Sequence, residues 1–186
     1  NLTIKMMRKT KSIHKRIYLI SMSIFRPDLL IKKYDDLDIE DLKNRGFDTV
    51  FLDVDNTITP YFVKIPDAKA KAFVQMLKDN GFHVIVVSNN TDERVKEVAS
   101  SIGCEYICWA LKPLPFKANA LIKKHHLDKS KVFIMGDQLL TDVLCGKLTG
   151  IYAIYVKPIS EVDSFTTKIN RKIERFIFKH ILHEKV

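Results

Sequence analysis

Apolar positions along the 186-residue chain follow two spacings that alternate through its middle. Apolar-rich runs occupy residues 49–54, 82–87, 131–135 and 151–156, with a shorter one at 105–108. Between them, apolar residues return at three- and four-residue intervals, as Ala70, Phe73, Val74 and Leu77 do within 67–80. Runs without polar alternation predict strands buried on both faces, and the longer spacing predicts helices. Asp38 reads as the N-cap of a short helix closed by Gly46. Gly81 stops the helix over 67–80, and Gly103 stops one over 91–102 with Asn90 as its N-cap. Further helices are expected over 115–126 and 139–148. Strands separated by single helices predict an α/β three-layer sandwich, with a parallel sheet between helices on both faces.

The two ends differ from this middle. Ile13, Ile17, Ile20 and Ile24 recur at helical spacing among basic residues, and Pro27 should end that helix. The last segment repeats the design with Ile169, Ile173, Phe176, Ile177 and Ile181 beside Lys168, Arg171, Lys172, Arg175 and Lys179; it is expected to pack on the domain. Residues 1–33 carry nine Lys or Arg against one acid, residues 34–156 fifteen against seventeen, and residues 157–186 seven against four. The expected division is a basic amphipathic segment at 1–33, a catalytic domain at 34–160 and a basic helix at 161–186. Basic ends around a near-neutral body suggest an anionic surface as partner, and no nucleic-acid motif accompanies them. The apolar stretch at 17–25 lacks a cleavage site behind it, and no run approaches the ~20 residues of a membrane span. Cys104, Cys108 and Cys145 lack metal-type spacing and predict free thiols in a reducing compartment. The expected location is cytoplasmic, peripheral at the inner membrane face.

Chemistry enters at the ends of the strand-like runs. The first closes on Asp53-Val54-Asp55-Asn56-Thr57, where strand alternation starts Asp53 and Asp55 on the same side. Two such carboxylates repel each other and call for a hard, oxygen-preferring cation, Mg²⁺, although an acidic turn alone would read the same way. The second run ends in Ser88-Asn89-Asn90, Lys112-Pro113 follows residues 106–111, and the next run ends in Gly136-Asp137 with Thr141 and Asp142 beyond. Open α/β sheets bind ligands at the carboxyl ends of their strands, so four polar endings in order point to phosphate chemistry.

The series Asp53-x-Asp55-x-Thr57, Ser88, Lys112 and Gly136-Asp137-x-x-x-x-Asp142 resembles the haloacid dehalogenase (HAD) superfamily of phosphatases over about residues 25–160. Asp-x-Asp-Asn-Thr, Val-Ser-Asn-Asn, Lys-Pro and Gly-Asp-Gln-x-x-Thr-Asp bring it nearest the branch of YqeG-type proteins and mitochondrial phosphatidylglycerophosphatases. The resemblance implies a HAD-like, Rossmann-like sandwich and an Mg²⁺-dependent phosphatase acting through an aspartyl-phosphate. Asp53 would be the nucleophile and Asp55 the general acid and base. Ser88 and the backbone amide of Asn89 would bind phosphoryl oxygens, with Asn56 and Thr57 shaping the substrate loop. Lys112 would neutralise charge on nucleophile and phosphoryl group. Mg²⁺ would sit on Asp53, the backbone carbonyl of Asp55, and Asp137, with Asp142 orienting Lys112 or a metal-bound water. About ten residues separate Thr57 from the helix at Asp67, and one helix and one strand fill 90–112, leaving no room for a cap domain. An uncapped site admits bulky or surface-bound substrates.

The histidines carry a plainer expectation. His125 and His126 meet a helix C-terminus and His83 starts a strand. Trp109 is expected in the core, with the site mouth as the alternative. Three functions fit the sequence. The first is hydrolysis of phosphatidylglycerophosphate to phosphatidylglycerol. The second is a phosphatase for a soluble metabolite or nucleotide. The third is a non-catalytic binding protein, attached to RNA or ribosomes, on the same scaffold.

Overall fold

A computed structural model describes residues 24–184. Six parallel strands form one sheet: β1 (Leu29–Ile31), β2 (Thr49–Leu52), β3 (His83–Val87), β4 (Glu105–Ile107), β5 (Val132–Gly136) and β6 (Tyr152–Val156), in spatial order β1-β6-β5-β2-β3-β4. The helices are α1 (Ile39–Asn44), α2 (Ala68–Asp79), α3 (Asp92–Ser101), α4 (Phe116–Lys124), α5 (Leu144–Thr149) and α6 (Phe165–Ile177). The strand order reverses direction at β2, whose neighbours are β3 and β5, and the crevice of such a sheet opens at that point.

Alternation along β2 explains the two layers. Val50 and Leu52 face one core with Phe133, Met135, Phe73 and Val98, while Phe51 faces the other with Ile85, Ile134, Leu121 and Phe178. Gly146 lets α5 approach the sheet: a Cβ there would meet Ile134 Cγ2 at 2.5 Å.

Most expected elements form within a residue or two of their predicted ends, and the differences have local causes. β1 lies inside the segment assigned to the N-terminal end, pairing Leu29–Ile31 with Ile154–Val156, so the sheet begins before residue 34. The predicted helix through Ile13, Ile17 and Ile20 lies outside the described residues. Thr91, not Asn90, is the N-cap residue of α3, because the Asn90 amide donates to Asp55 at 2.9 Å instead. The helix expected over 139–148 opens as a π-helical turn, Leu139–Val143, before α5. Trp109 is 53% exposed rather than buried, on a loop where its φ is +47°. The apolar series of the last segment is split: Ile177 is buried against the sheet, whereas Ile169, Ile173 and Phe176 are exposed. Among the described residues no helix is long and apolar enough to cross a membrane.

Candidate active site

The ends of β2, β3 and β5 and the loop after β4 bring four of the expected residues together. Asp53 follows β2 directly, its amide donating to Met135 O at 2.9 Å, which carries it to the switch point beside β5. Lys112 Nζ lies 2.7 Å from Asp53 Oδ1 and 2.6 Å from Asp142 Oδ1, and donates to Val87 O at 2.7 Å. The approach to Asp142 is one of charge, without hydrogen-bond alignment. Lys112 is itself fixed by Asn89, whose Oδ1 accepts from the Lys112 amide at 2.8 Å and whose Nδ2 donates to the Lys112 carbonyl at 2.9 Å.

Asp142 reaches this point because the π-helical turn after β5 swings it back across the strand end. Its Oδ2 accepts from the Gln138 amide at 3.1 Å. Gly136 makes the room, since a Cβ there would meet Asp142 Cγ at 2.3 Å. Asp53, Asp137 and Asp142, all buried, have carboxylate oxygens within 4.8 Å of one another. Thr57 donates to Asp53 Oδ2 at 3.0 Å and stands 3.4 Å from Asp137 Oδ1, so it holds carboxylates rather than facing the pocket.

Burial dominates the electrostatics. Desolvation pushes Asp53 up to about 7, against the pull of Lys112. Asp137 is likewise raised well above its ordinary value by desolvation, with Arg171 opposing. Burial disfavours the charge on Lys112, but Asp142 and Asp53 outweigh it and hold the ammonium with a raised pKa. Three buried carboxylates of hard oxygen donors exceed the positive charge facing them, which fits a divalent cation such as Mg²⁺.

Other residues make further contacts around the pocket. Asp55 lines it beside Asp53, its carboxylate accepting from Arg94 Nη2 at 2.9 Å and Asn90 Nδ2 at 2.9 Å, while Asp142 rather than the Asp55 side chain joins the carboxylate group. Asn56 offers no side-chain group to a substrate. Its Nδ2 donates to Val162 O at 3.0 Å and Asp163 Oδ1 at 2.7 Å, and its Oδ1 accepts from the Tyr61 amide at 3.0 Å. Ser88 is buried and lines the pocket, its Oγ accepting from the Asn90 amide at 3.1 Å.

Residues from α6 complete the site, and sequence reasoning assigned them none of it. Arg171 donates to both a carboxylate oxygen and the carbonyl of Asp137. Glu174 lies beside it, 3.1 Å from Nη1, and accepts from the Leu140 amide at 3.0 Å. The signal was present: helical spacing sets Arg171 and Glu174 on the same side as Ile177 and Phe178, two charges on an apolar face. The pocket measures about 470 Å³; Asp53, Ser88 and Lys112 line it, with Ser164, Thr166, Thr167 and Asn170 from the start of α6. A second group of ligand-type side chains, His83, Glu105 and His125, lies around the opposite ends of β3 and β4, where Lys124 already pairs with Glu105 at 2.5 Å.

Comparison with known proteins matches residues 8–160 to the family model described as mitochondrial PGP phosphatase. The chain belongs to that family. Within reach of the family, the probable phosphatase YqeG of Bacillus subtilis (strain 168) is 34% identical over 153 residues, covering 82% of this chain and 89% of its own length. Phosphatidylglycerophosphate phosphatase 1, chloroplastic/mitochondrial, of Arabidopsis thaliana is 25% identical over 168 residues, covering 85% of this chain and 48% of its own length. In fold, the chain resembles 3-deoxy-D-manno-octulosonate 8-phosphate phosphatase from Moraxella catarrhalis, solved with magnesium, phosphate and KDO. The TM-score is 0.52 at 14% identity, over 76% of this chain and 92% of that one. The protein is thus a HAD-superfamily phosphatase of the YqeG and PGP phosphatase branch, with a HAD-like α/β fold. The family match ends at residue 160, before α6 begins.

Proposed function

We propose that the protein hydrolyses phosphatidylglycerophosphate to phosphatidylglycerol through an aspartyl-phosphate on Asp53. The observation that carries this reading is Lys112 Nζ, 2.7 Å from Asp53 and 2.6 Å from Asp142, at the end of an open pocket that Asp53 itself lines. An Asp53 oxygen attacks phosphorus as the bond to the lipid oxygen breaks, and a water later cleaves the acyl-phosphate. Asp55 hands a proton to the leaving oxygen and takes one from the water, with Asn90 and Arg94 fixing its carboxylate between steps. Ser88, the Asn89 amide and Lys112 stabilise charge on the phosphoryl oxygens. Asp53, Asp137 and the Asp55 carbonyl would hold Mg²⁺, which would supply further charge neutralisation there. Asp142 acts behind Lys112 as its second anchor.

The lipid assignment is supported by the family, by the name of the Arabidopsis relative and by the absence of an inserted domain between β2 and β4. The hydroxyl and amide side chains of Ser164, Thr166, Thr167 and Asn170 suit a glycerol headgroup that carries free hydroxyls. The test measures phosphate release from phosphatidylglycerophosphate in micelles beside a panel of soluble phosphomonoesters. The lipid should turn over at least about tenfold faster in kcat/KM, a transition-state preference of about 1.4 kcal/mol. A preference for a soluble ester would reject the lipid but keep the phosphatase; no release from any ester by the folded protein would reject both.

A further inference from the structure

Helix α6 presents four sides with different chemistry. Its Glu174 and Ile177, with Phe178 just beyond its end, are buried against the domain. At 100° per residue, Ile169, Ile173 and Phe176 fall together on a second side, and all three are exposed, by 47%, 47% and 60%. That stripe runs between two others. On one flank are Thr166 and Asn170, which line the catalytic pocket. On the other are Lys168, Lys172 and Arg175, which line a separate cleft of about 470 Å³ together with Lys157.

A helix exposing a continuous apolar stripe beside a basic row has the form of one lying in a lipid interface, with apolar side chains among the acyl chains and cations at anionic headgroups. The loop leading to Lys112 also exposes apolar side chains. Trp109 and Leu111 precede Lys112, each 53% exposed and each with a positive φ, +47° and +59°. Bulky residues are disfavoured in that backbone region, so the loop accepts strain while leaving both side chains in solvent.

We infer that α6 seats the protein on an anionic lipid surface, its stripe inserted and its basic row on the headgroups, so that the pocket mouth beside Thr166 and Asn170 opens toward the membrane. The inference rests on the lipid-phosphate reading for its purpose, but it is tested separately. The charge of the flanking row selects an anionic bilayer over a second copy of the chain, which would bring the same cations face to face.

The experiment is co-sedimentation of the full chain with vesicles of phosphatidylcholine, with and without phosphatidylglycerol. Binding to the anionic vesicles should exceed binding to the neutral ones by at least about tenfold and weaken with added salt. Ile173→Glu with Phe176→Glu should reduce it by about a hundredfold, and Lys168→Gln with Lys172→Gln by about tenfold. Both variants should keep the wild-type rate on whichever small phosphoester the protein turns over, with an unchanged melting temperature as the check on folding. Undiminished vesicle binding in the folded stripe variant overturns the inference. So does failure of the wild type to bind, or a concentration-dependent dimer that the substitutions abolish while vesicle binding persists. Normal α6-dependent binding without hydrolysis of phosphatidylglycerophosphate would reject the substrate while leaving the docking surface standing.

Discussion

The proposed mechanism places two demands on the Asp53 carboxylate, burial beside Lys112 and ionisation for attack. Asp53→Asn should lower turnover by about a thousandfold or more while the protein still folds, read by phosphate release and by circular dichroism. The same burial sets a pH dependence. Asp53 ionises near 7 in the metal-free fold against 3.8 for an exposed aspartate, so the folded state holds the proton more tightly. Its contribution to stability is complete below the lower value and is lost as pH rises through the higher one. The melting temperature in EDTA should therefore fall between about pH 4 and about pH 7, and Mg²⁺ should raise it more at the upper end. A slope unchanged by Asp53→Asn would assign the effect elsewhere. Asn56 belongs to a different class. Asn56→Ala strands partners in two loops, so it should cost about 2 kcal/mol in denaturant unfolding and change KM little. Asp53, Ser88 and Asp137 were legible because each directly follows a strand, where apolar run gives way to polar residue, and Lys112 and Asp142 because they stand in the short segments that follow β4 and β5. The orientation of Asp55 was not, because its partners Asn90 and Arg94 come from another element. Period-two alternation gives the starting side of a side chain, not its rotamer.

At the scale of elements, the π-helical turn after β5 is the device that returns Asp142 to Lys112. It depends on Gly136, where an added methyl would occupy the space of the Asp142 carboxylate. Gly136→Ala should destabilise the protein by about 1–3 kcal/mol and reduce kcat more than it raises KM. Helix α6 carries a second dependence. Arg171→Met leaves Asp137 without its guanidinium, which should cost about 3–5 kcal/mol in EDTA. Mg²⁺ should return part of that loss in a thermal melt, because a cation among the carboxylates replaces some of the missing charge. The six helices and strands β2 to β6 could be read from spacing and from stops at Gly46, Gly81 and Gly103. β1 could not, because Leu29–Ile31 lies in a basic segment read as an end of the chain and its partner β6 lies more than a hundred residues along.

For the whole molecule, the proposed Mg²⁺ site predicts that chelation abolishes phosphate release and that Mg²⁺ restores it. Full activity after exhaustive EDTA treatment would remove the metal from the mechanism. The sheet and its topology follow from local pattern, whereas the closing of the site follows from contacts between distant segments, as Arg171 with Asp137 illustrates. That contact has a consequence for the order in which the protein folds. All six strands and the three clustered carboxylates precede Arg171 and Glu174 in the chain. Until α6 docks, the sheet can assemble around like charges that nothing in α6 yet answers. The docking of α6 settles them, and with it come a wall of the pocket and the helix that we assign to the bilayer.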